Sequence, residues 1–544
     1  MRTRHSRLVA LIALMFVMRL SAADAQNDAS GVPKVQTSLG RVEGARHDDT
    51  DVFLGIPYAL PPTGERRLAP PVPAASWSAP LRAIVPPSAC PQLPSPDPAG
   101  LASSNEDCLY LNIWRPTAAN SVGARGRPVM VWIHGGGFVE GYGAAKQYDA
   151  THLALAADAV VVTVNYRVGA LGFLAAPALD DVDARHISGN YGLQDLQMAL
   201  HWIAQDIAAF GGDPGNVTVM GESAGANAVL GLLASPGSEG LFHRAIVQSA
   251  TDGAHTLPLK QAERERYASS LDEIGCGTVQ TLACLRSARS DAFLRMTARP
   301  TMIQDGIVLP LDPFEAFRQG RFMKVPVLIG TNAKENYLFT ARVESDVLKR
   351  IMLPGDIPGM LKSSFGDKAD VVAAQYVPEA YATASTLIGS ALTDRRFACM
   401  ANLTRNALAA SVPVYGYELD IADPMQQQPL VQGSDLPNLS YHTTDLGYLF
   451  NNDNDAHALP GRHAALSRMI AGYWSAFAAT GEPNGGEANA NTNGSGPERL
   501  RWRRFTSDDR AVLSISDTPV MRRDFADAHK CAFWESSGLV APTW

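Results

Sequence analysis

The stretch NVTVMGESAGANAVL, residues 216–230, decides the fold class of this chain. Its first part, Val217–Met220, is apolar and β-branched as in a buried strand, and an Ala- and Leu-rich run typical of a helix follows. Between them, Gly221–Gly225 has the G-x-S-x-G pattern of a tight strand-to-helix turn. Such a turn holds a hydroxyl above the sheet, at the positive end of the helix. We therefore predict that Ser223 is a nucleophile; a serine that only caps a helix is the alternative.

Short apolar runs alternate with helical patterns along the chain. The clearest helix has Leu and Ile on one face from Leu193 to Ile207, and ends at the glycine pair 211–212. This alternation predicts an α/β fold with a large, mostly parallel central sheet flanked by helices. The strand-like runs are Val129–Ile133, Val160–Val164, Val217–Met220, Ala245–Val247, Val325–Ile329 and Val414–Leu419.

Composition excludes several classes of protein. The 544 residues carry a net charge of −8, which argues against a nucleic-acid binder because such a protein needs a basic surface. No run of about 18 uncharged apolar residues occurs, so we expect no membrane span. The length exceeds that of an average domain, but a large enzyme fold accommodates it, and we expect one domain over residues 26–544.

The N-terminus has the pattern of an export signal. Arg2, Arg4 and Arg7 precede the apolar stretch Leu8–Met18, and Ala23-Asp24-Ala25 then has small residues at the two positions that a signal peptidase reads. An ordinary buried helix is the alternative. We predict a cleavable signal peptide over residues 1–25 and a secreted or periplasmic protein.

The six cysteines are expected to form disulfides if the protein is exported. Proximity in the sequence suggests Cys90–Cys108 and Cys276–Cys284, but sequence alone does not choose among the possible pairings. Six buried thiols are the alternative. No CxxC or HxxxH spacing occurs, so we expect no metal site.

A glycine-rich segment, His134-Gly135-Gly136-Gly137, follows the strand-like run Val129–Ile133. Attack on an ester carbonyl places negative charge on its oxygen, and each N–H donor already aimed there lowers the barrier by roughly 3 kcal/mol. This segment and Ala224, which follows the serine, are suited to supply such donors. A phosphate-binding loop is the alternative, but it requires Lys and Ser or Thr where Phe138-Val139 stand. We interpret His134 as a structural histidine.

A serine nucleophile needs a histidine base, and that histidine needs an acid on its other nitrogen. In this kind of fold the three follow the chain order Ser, acid, His. Glu335 follows the strand-like Val325–Ile329, and His442 is the first histidine after Val414–Leu419. The alternative for Glu335 and for His442 is a solvated loop residue without a catalytic role. By position alone, three rivals remain for the histidine: His457, His463 and His529.

Several segments in the same order resemble the type-B carboxylesterase family, which includes carboxylesterases, cholinesterases and some lipases. The resemblance runs from about Gly40 to Phe533 and implies the α/β-hydrolase fold. The matching segments are Phe53–Ala59 (FLGIPYA), Glu106–Asn112 (EDCLYLN), His134–Phe138 (HGGGF), Asn165–Arg167 (NYR), Gly189–Asp195 (GNYGLQD), Gly211–Pro214 (GGDP) and Gly221–Gly225 (GESAG).

The resemblance also assigns roles to residues. The family's acid lies in a G-x-N-x-x-E-G segment, which Gly330–Glu335 matches, with Asn336 in place of the final glycine. His442, three residues before Asp445, matches the family's base. The implied oxyanion donors are Gly136, Gly137 and Ala224; the implied supporting residues are Glu222, Ser249 and Asp445; and the implied disulfides are Cys90–Cys108, Cys276–Cys284 and Cys399–Cys531.

These residues predict a serine carboxylic-ester hydrolase that acts on a small-molecule ester through an acyl-enzyme, without a cofactor or metal. Two alternatives are an acyltransferase with the same triad and a non-catalytic binding protein on the esterase fold. Amidase or lactonase activity would use the same residues. No aromatic residue lies between Cys90 and Cys108, where cholinesterases carry a tryptophan that stacks on choline, which argues against a choline ester. The sequence predicts neither the ester nor the oligomeric state.

Overall fold

The computed structural model describes residues 31–94, 104–117, 126–277, 281–430, 433–451, 461–485 and 499–539. The predicted signal peptide, residues 1–25, lies outside these ranges.

One sheet of eleven strands organises the chain, in the order β16-β15-β14-β13-β10-β9-β7-β8-β6-β4-β3. The seven strands from β15 to β8 in this order run parallel, and antiparallel strands cover both edges. The strands of this sheet are β3 Ala45–His47, β4 Thr50–Pro57, β6 Tyr110–Pro116, β7 Arg127–Ile133, β8 Val160–Val164, β9 Gly212–Glu222, β10 Arg244–Gln248, β13 Val327–Asn332, β14 Val414–Leu419, β15 Val512–Ile515 and β16 Val520–Arg522.

Two small sheets lie outside the main one. A three-stranded sheet contains β1 Lys34–Gln36, β2 Arg41–Glu43 and β5 Leu81–Arg82, and a two-stranded sheet contains β11 Leu257–Pro258 and β12 Ile303–Gln304.

Helices fill the connections between the strands. The α-helices of the described ranges are α1 Thr151–Ala157, α2 Gly169–Phe173, α3 Pro177–Asp180, α4 Tyr191–Asp206, α5 Ala224–Ala234, α6 Leu259–Gln261, α7 Ser270–Glu273, α8 Leu282–Ser287, α9 Ser290–Phe293, α10 Pro313–Arg318, α11 Tyr337–Arg342, α12 Ile357–Phe365, α13 Ala369–Ala373, α14 Ala384–Thr393, α15 Cys399–Ala409, α16 Thr444–Phe450, α17 Gly461–Thr480, α18 Phe525–Ala528 and α19 Cys531–Ser537.

Both faces of the sheet are buried. In β7, Val129, Val131 and Ile133 join one apolar cluster, whereas Met130 and Trp132 join another. Successive side chains of a strand point to opposite faces, so the two clusters lie on opposite sides of the sheet. This explains why the central strands have continuous apolar sequences.

The predicted strands all lie in this sheet, with shifted ends. The run predicted to begin at Val325 begins at Val327 and continues to Asn332. Pro326 has no backbone N–H and so cannot donate a hydrogen bond to the neighbouring strand. The predicted helix that starts near Leu193 is α4, which continues as a tight turn, Ile207–Phe210, before Gly211 ends it at a φ of +82°.

Three disulfides link the chain: Cys90–Cys108, Cys276–Cys284 and Cys399–Cys531. These are the pairs that the family resemblance implies. The third spans 132 positions and ties the start of α15 to the start of α19. Within the ranges given above, no helix is long and apolar enough to cross a membrane, and no three His, Cys, Asp or Glu side chains are grouped to hold a metal ion.

Candidate active site

Ser223 lies in the turn between β9 and α5, where it is the N-terminal cap of the helix. Its φ of +58° and ψ of −123° are strained for a residue with a side chain. Two backbone hydrogen bonds hold this conformation: the Ser223 N–H donates to Gln248 O at 2.9 Å, and the Asn227 N–H donates to Ser223 O at 3.0 Å. The residue is partly exposed, and its hydroxyl makes no hydrogen bond with any described residue. It is therefore open to a substrate.

The two glycines of the G-x-S-x-G pattern are required by close backbone packing. A Cβ atom on Gly225 would lie 2.1 Å from Ile133 O, and one on Gly221 would lie 2.6 Å from the backbone of Gly225. Real Cβ atoms are not found at such distances, so a side chain at either position would push α5 away from the sheet. The pattern thus reflects how closely β7, β9 and α5 approach each other.

The glycine-rich loop after β7 lies against the serine. A Cβ atom on Gly135 would lie 3.1 Å from Ser223 Cβ. Gly136 and Gly137 have φ values of +101° and +61°, which favour glycine. Their N–H groups donate no hydrogen bond to any other described part of the chain, and the Ala224 N–H, in the first residue of α5, has no acceptor in the preceding turn. Among the described residues, the three N–H groups named from the sequence therefore have no acceptor.

His134 supports this loop. The imidazole is fully buried and stacks on the Tyr166 ring at 4.4 Å, while the Tyr166 hydroxyl donates to His134 O at 2.9 Å. Burial lowers the pKa of His134 to about 4, so the ring is neutral at physiological pH. This environment fits the structural role predicted for it.

Glu335 and His442 meet although 107 positions separate them. His442 Nδ1 lies 2.7 Å from Glu335 Oε2, and Glu335 Oε1 accepts a hydrogen bond from the Asn332 N–H at 2.6 Å. Both side chains are buried. Glu335 follows β13 and His442 follows β14, the neighbouring parallel strand, so the two loops emerge at the same edge of the sheet.

Asn336, which replaces the family's glycine, causes no strain in the acid loop. Its φ is −77°, a value that any residue adopts. Its N–H donates to Thr393 Oγ1 at 2.9 Å, and its side-chain amide donates to Thr340 Oγ1 at 3.2 Å. The asparagine is thus accommodated in the acid loop without backbone strain and with its polar groups hydrogen-bonded.

The other imidazole nitrogen faces the serine turn. His442 Nε2 lies 3.1 Å from Glu222 Oε1, although the geometry is not that of a hydrogen bond. No hydrogen bond joins His442 to the Ser223 hydroxyl, which is on the next residue. Catalytic hydrogen bonds are often long or poorly aligned before a substrate binds, so this arrangement is compatible with proton transfer between the two side chains.

The carboxyl groups around His442 raise its pKa. Burial lowers the pKa of His442, but Glu222 and Glu335 raise it by more, so the pKa lies above its ordinary value. Burial raises the pKa of Glu222 to about 8. The two groups therefore compete for a proton near neutral pH.

Asp445 lies behind the imidazole in a hydrogen-bonded network. Its Oδ2 accepts from Gln248 Nε2 at 2.5 Å, and its Oδ1 accepts from Asn332 Nδ2 at 3.5 Å. Asn332 Nδ2 also lies 3.4 Å from Ser249 Oγ, and Trp474 Nε1 donates to Gln248 Oε1 at 3.1 Å. Ser249 therefore contacts Asn332, not the histidine. The sequence interpretation missed Gln248, Asn332 and Trp474; Asn332 lies inside Gly330–Glu335, the segment that matches the family's acid loop.

The rival histidines lie in other environments. His463 Nδ1 is 2.9 Å from the Tyr448 hydroxyl, and His529 lies 2.6 Å from both Asp394 and Glu418. Within the described ranges neither makes a hydrogen bond or ion pair with Glu335. His457 lies outside those ranges.

Two phenylalanines flank the imidazole. The ring centroids of Phe339 and Phe397 lie 5.0 and 5.2 Å from that of His442, and the two rings stack on each other at 6.2 Å. Arg396 lies over both rings. The sequence interpretation did not find these residues, because no local pattern marks them.

Comparisons with known proteins identify the family of this chain. A sequence profile of the Carboxylesterase family matches residues 31–534. The chain belongs to the carboxylesterase family. This carboxylesterase is 35% identical to the fumonisin B1 esterase of Sphingopyxis macrogoltabida, over 89% of each chain. It is 30% identical to the para-nitrobenzyl esterase of Bacillus subtilis, over 93% of this chain and 99% of that one.

The fold is also that of a solved esterase. A structure of PNB esterase superposes with a TM-score of 0.74 and 29% identity, covering 92% of this chain and 99% of that one. The α/β-hydrolase fold is therefore confirmed, and the protein is an enzyme of the carboxylic ester hydrolase class.

Proposed function

We propose that this carboxylesterase hydrolyses small-molecule esters with Ser223 as nucleophile, His442 as base and Glu335 as the acid that orients it. The observation that carries the proposal is the 2.7 Å contact between His442 Nδ1 and Glu335 Oε2, with Nε2 facing the serine turn. A histidine bound by a carboxylate on one nitrogen has the tautomer that a base needs on the other.

The reaction proceeds in two halves. His442 takes the proton of the Ser223 hydroxyl as the oxygen attacks the ester carbonyl, and then returns that proton to the departing alcohol. Water, activated by the same imidazole, attacks the acyl-enzyme, releases the acid and regenerates the serine. Glu335 stabilises the imidazolium in both halves.

The negative charge on the carbonyl oxygen needs fixed donors. We assign this role to the N–H groups of Gly136, Gly137 and Ala224. Their support is that Gly135, just before the two glycines, lies against Ser223, that Ala224 follows Ser223 directly, and that the three N–H groups have no hydrogen-bond acceptor among the described residues. A donor already in place costs no reorganisation when the charge develops.

The test is hydrolysis of p-nitrophenyl esters of increasing acyl length by wild type and Ser223→Ala. We expect the variant to lose at least about 10⁴-fold in kcat, because the acyl-enzyme cannot form. Ser363→Ala, which removes an exposed hydroxyl from α12, is the matched control and should keep wild-type rates. Full turnover by Ser223→Ala would refute the assignment.

We also propose that the protein is exported with removal of residues 1–25. Three disulfides support this proposal, because such bonds persist in oxidising compartments. N-terminal sequencing of protein recovered outside the cytoplasm should begin after Ala25; an intact Met1 would refute cleavage.

A further inference from the structure

A permanent positive charge lies beside the aromatic rings that flank His442. The Arg396 guanidinium carbon is 5.8 Å from the centroid of the Phe339 ring and 5.7 Å from that of Phe397. A guanidinium over an aromatic face is attracted to the ring and held in a defined orientation. Each of the two phenylalanine rings thus contacts both the Arg396 guanidinium and the His442 imidazole.

Most of the hydrogen-bonding capacity of Arg396 is unused. Its Nε donates to Asp252 Oδ1 at 3.4 Å, but its two terminal nitrogens donate to no other described residue. The side chain is 33% exposed, so a ligand can reach it. A guanidinium with free terminal N–H groups can bind a carboxylate through two parallel hydrogen bonds.

Asp252 does not neutralise this charge, because two arginines share it. Arg395 Nη1 lies 3.5 Å from Asp252 Oδ2, on the other side of the carboxylate from Arg396. Both contacts are longer than an ordinary charge-assisted hydrogen bond, so they are weak. Two guanidinium groups and one carboxylate leave a net positive charge.

This cluster is anchored to the serine turn. Thr251, next to Asp252, exchanges two hydrogen bonds with the Asn227 side chain, at 2.9 and 3.0 Å. Asn227 lies in the first turn of α5, and its N–H donates to Ser223 O. Asp252 is therefore connected to the Ser223 turn through the hydrogen bonds of Thr251 with Asn227 and of Asn227 with Ser223.

The helix that carries the arginines is locally widened. Between α14 and α15, residues Asp394–Ala398 form a π-helical turn that contains Arg395, Arg396 and Phe397. Such turns occur frequently at functional sites, since they redirect side chains that a regular helix would place elsewhere. Here the turn places Phe397 against His442 and places Arg396 over the Phe397 ring.

From these contacts we propose that Arg395, Arg396 and Asp252 form a carboxylate-binding subsite, and that the preferred substrates are esters that carry a carboxylate a few bonds from the scissile group. Arg396 binds the carboxylate, whereas Asp252 and Arg395 position its guanidinium. The inference rests on the proposed function and specifies its substrate class.

The experiment compares three alkyl esters by pH-stat at neutral pH. Ethyl butyrate is the neutral reference; monoethyl succinate replaces the acyl methyl group by a carboxylate, and carboxymethyl butyrate does the same on the alcohol side. For each enzyme the readout is kcat/KM for an anionic ester divided by kcat/KM for ethyl butyrate. This ratio cancels losses that affect all substrates equally.

We expect Arg396→Gln to lower this ratio at least about tenfold for one of the anionic esters, since a charge-assisted pair is lost. Arg396→Lys, which keeps the charge without the paired donors, should retain part of the preference. Asp252→Asn should raise the ratio, because the amide oxygen keeps the acceptor that positions Arg396 while the competing negative charge is removed. The anionic ester that responds identifies whether the acyl or the alcohol side carries the group.

Arg503→Gln is the matched control, because it also removes one positive charge. Arg503 forms an exposed ion pair with Asp509 near the start of β14, whereas His442 follows the end of that strand. Its ratio should equal that of wild type. An unchanged ratio in Arg396→Gln for both anionic esters would overturn the subsite, even if the variant were less stable. Ethyl butyrate turnover that survives Ser223→Ala would instead refute the proposed function, and this inference with it.

Discussion

His442 Nε2 lies 3.1 Å from Oε1 of Glu222, the residue just before the serine. The imidazole thus sits between two carboxyl groups, since Glu335 contacts its other nitrogen at 2.7 Å. Glu335 can orient the ring, whereas Glu222 lies where the ring must exchange a proton with the serine. Glu222 therefore influences the pH range in which His442 is unprotonated and can act as a base.

We predict that Glu222→Gln shifts the acid limb of the kcat/KM profile to lower pH. The base must be unprotonated to act, and the carboxylates hold the pKa of His442 above its ordinary value of 6.5. Glu222 and His442 share a proton near neutral pH, and the ionised form of Glu222 stabilises the imidazolium. A glutamine cannot do so, so the pKa of His442 falls and activity appears at lower pH. The measurement is kcat/KM between about pH 5 and 9. Glu239→Gln, at an exposed position, is the control; an acid limb that stays in place in Glu222→Gln would contradict the prediction.

Replacement of the orienting acid should mainly affect kcat. We predict that Glu335→Gln lowers kcat by about 10⁴-fold, because a carboxamide can stabilise the wrong tautomer of His442 and cannot stabilise the imidazolium. Hydrolysis of p-nitrophenyl esters measures this effect, and Glu265→Gln on an exposed surface should leave it unchanged. A loss smaller than about tenfold would show that another group orients the imidazole.

The sheet and the three triad candidates could be predicted because each has a local signature. Parallel strands buried on both faces have continuous apolar sequences. Ser223 and Glu335 lie just after such strands, and His442 lies in the longer connection that follows β14. The four strands β9, β10, β13 and β14 are neighbours in the sheet, so these loops converge at one edge. Choosing His442 over its rivals required the family resemblance, since position alone left several histidines.

The surroundings of the base could not be predicted in the same way. Arg396 and Asp252 are 144 positions apart, and Gln248 and Trp474 are 226 apart. Neither pair lies in a recognisable local pattern, because their contact depends on how distant helices pack over the sheet. The π-helical turn at Asp394–Ala398 was likewise not predicted, and it decides which side chains reach His442.

Removal of the long-range disulfide should cost more stability than removal of the short one. In the chain-entropy model, Cys399–Cys531, which spans 132 positions, contributes about 5 kcal/mol to the free energy of unfolding, whereas Cys276–Cys284, which spans 8, contributes about 2.5 kcal/mol. The double variants Cys399→Ala/Cys531→Ala and Cys276→Ala/Cys284→Ala can be compared by urea unfolding. Equal losses, or a larger loss for the short loop, would contradict the prediction.

His529 should make stability fall at alkaline pH. Burial lowers its pKa, but contacts of 2.6 Å with Asp394 and Glu418 outweigh this and raise it from 6.5 to about 9. A pKa that is higher in the folded protein gives stability that is complete below the unfolded value and is lost as pH rises to the folded value. We therefore expect His529 to contribute about 3 kcal/mol at pH 6, declining to nearly zero above pH 9.

The measurement is the free energy of unfolding in urea, taken for wild type and His529→Gln at several values between about pH 6 and 10. The difference between the two proteins isolates this histidine from other titrating groups, and it should shrink as pH rises. His47→Gln, at an exposed position, is the control and should show no such trend. If the difference between wild type and His529→Gln were constant across this range, the pKa of His529 would not be raised by folding. The charge on Glu418 would then have to be balanced by another cation such as Arg522, which lies 3.0 Å away.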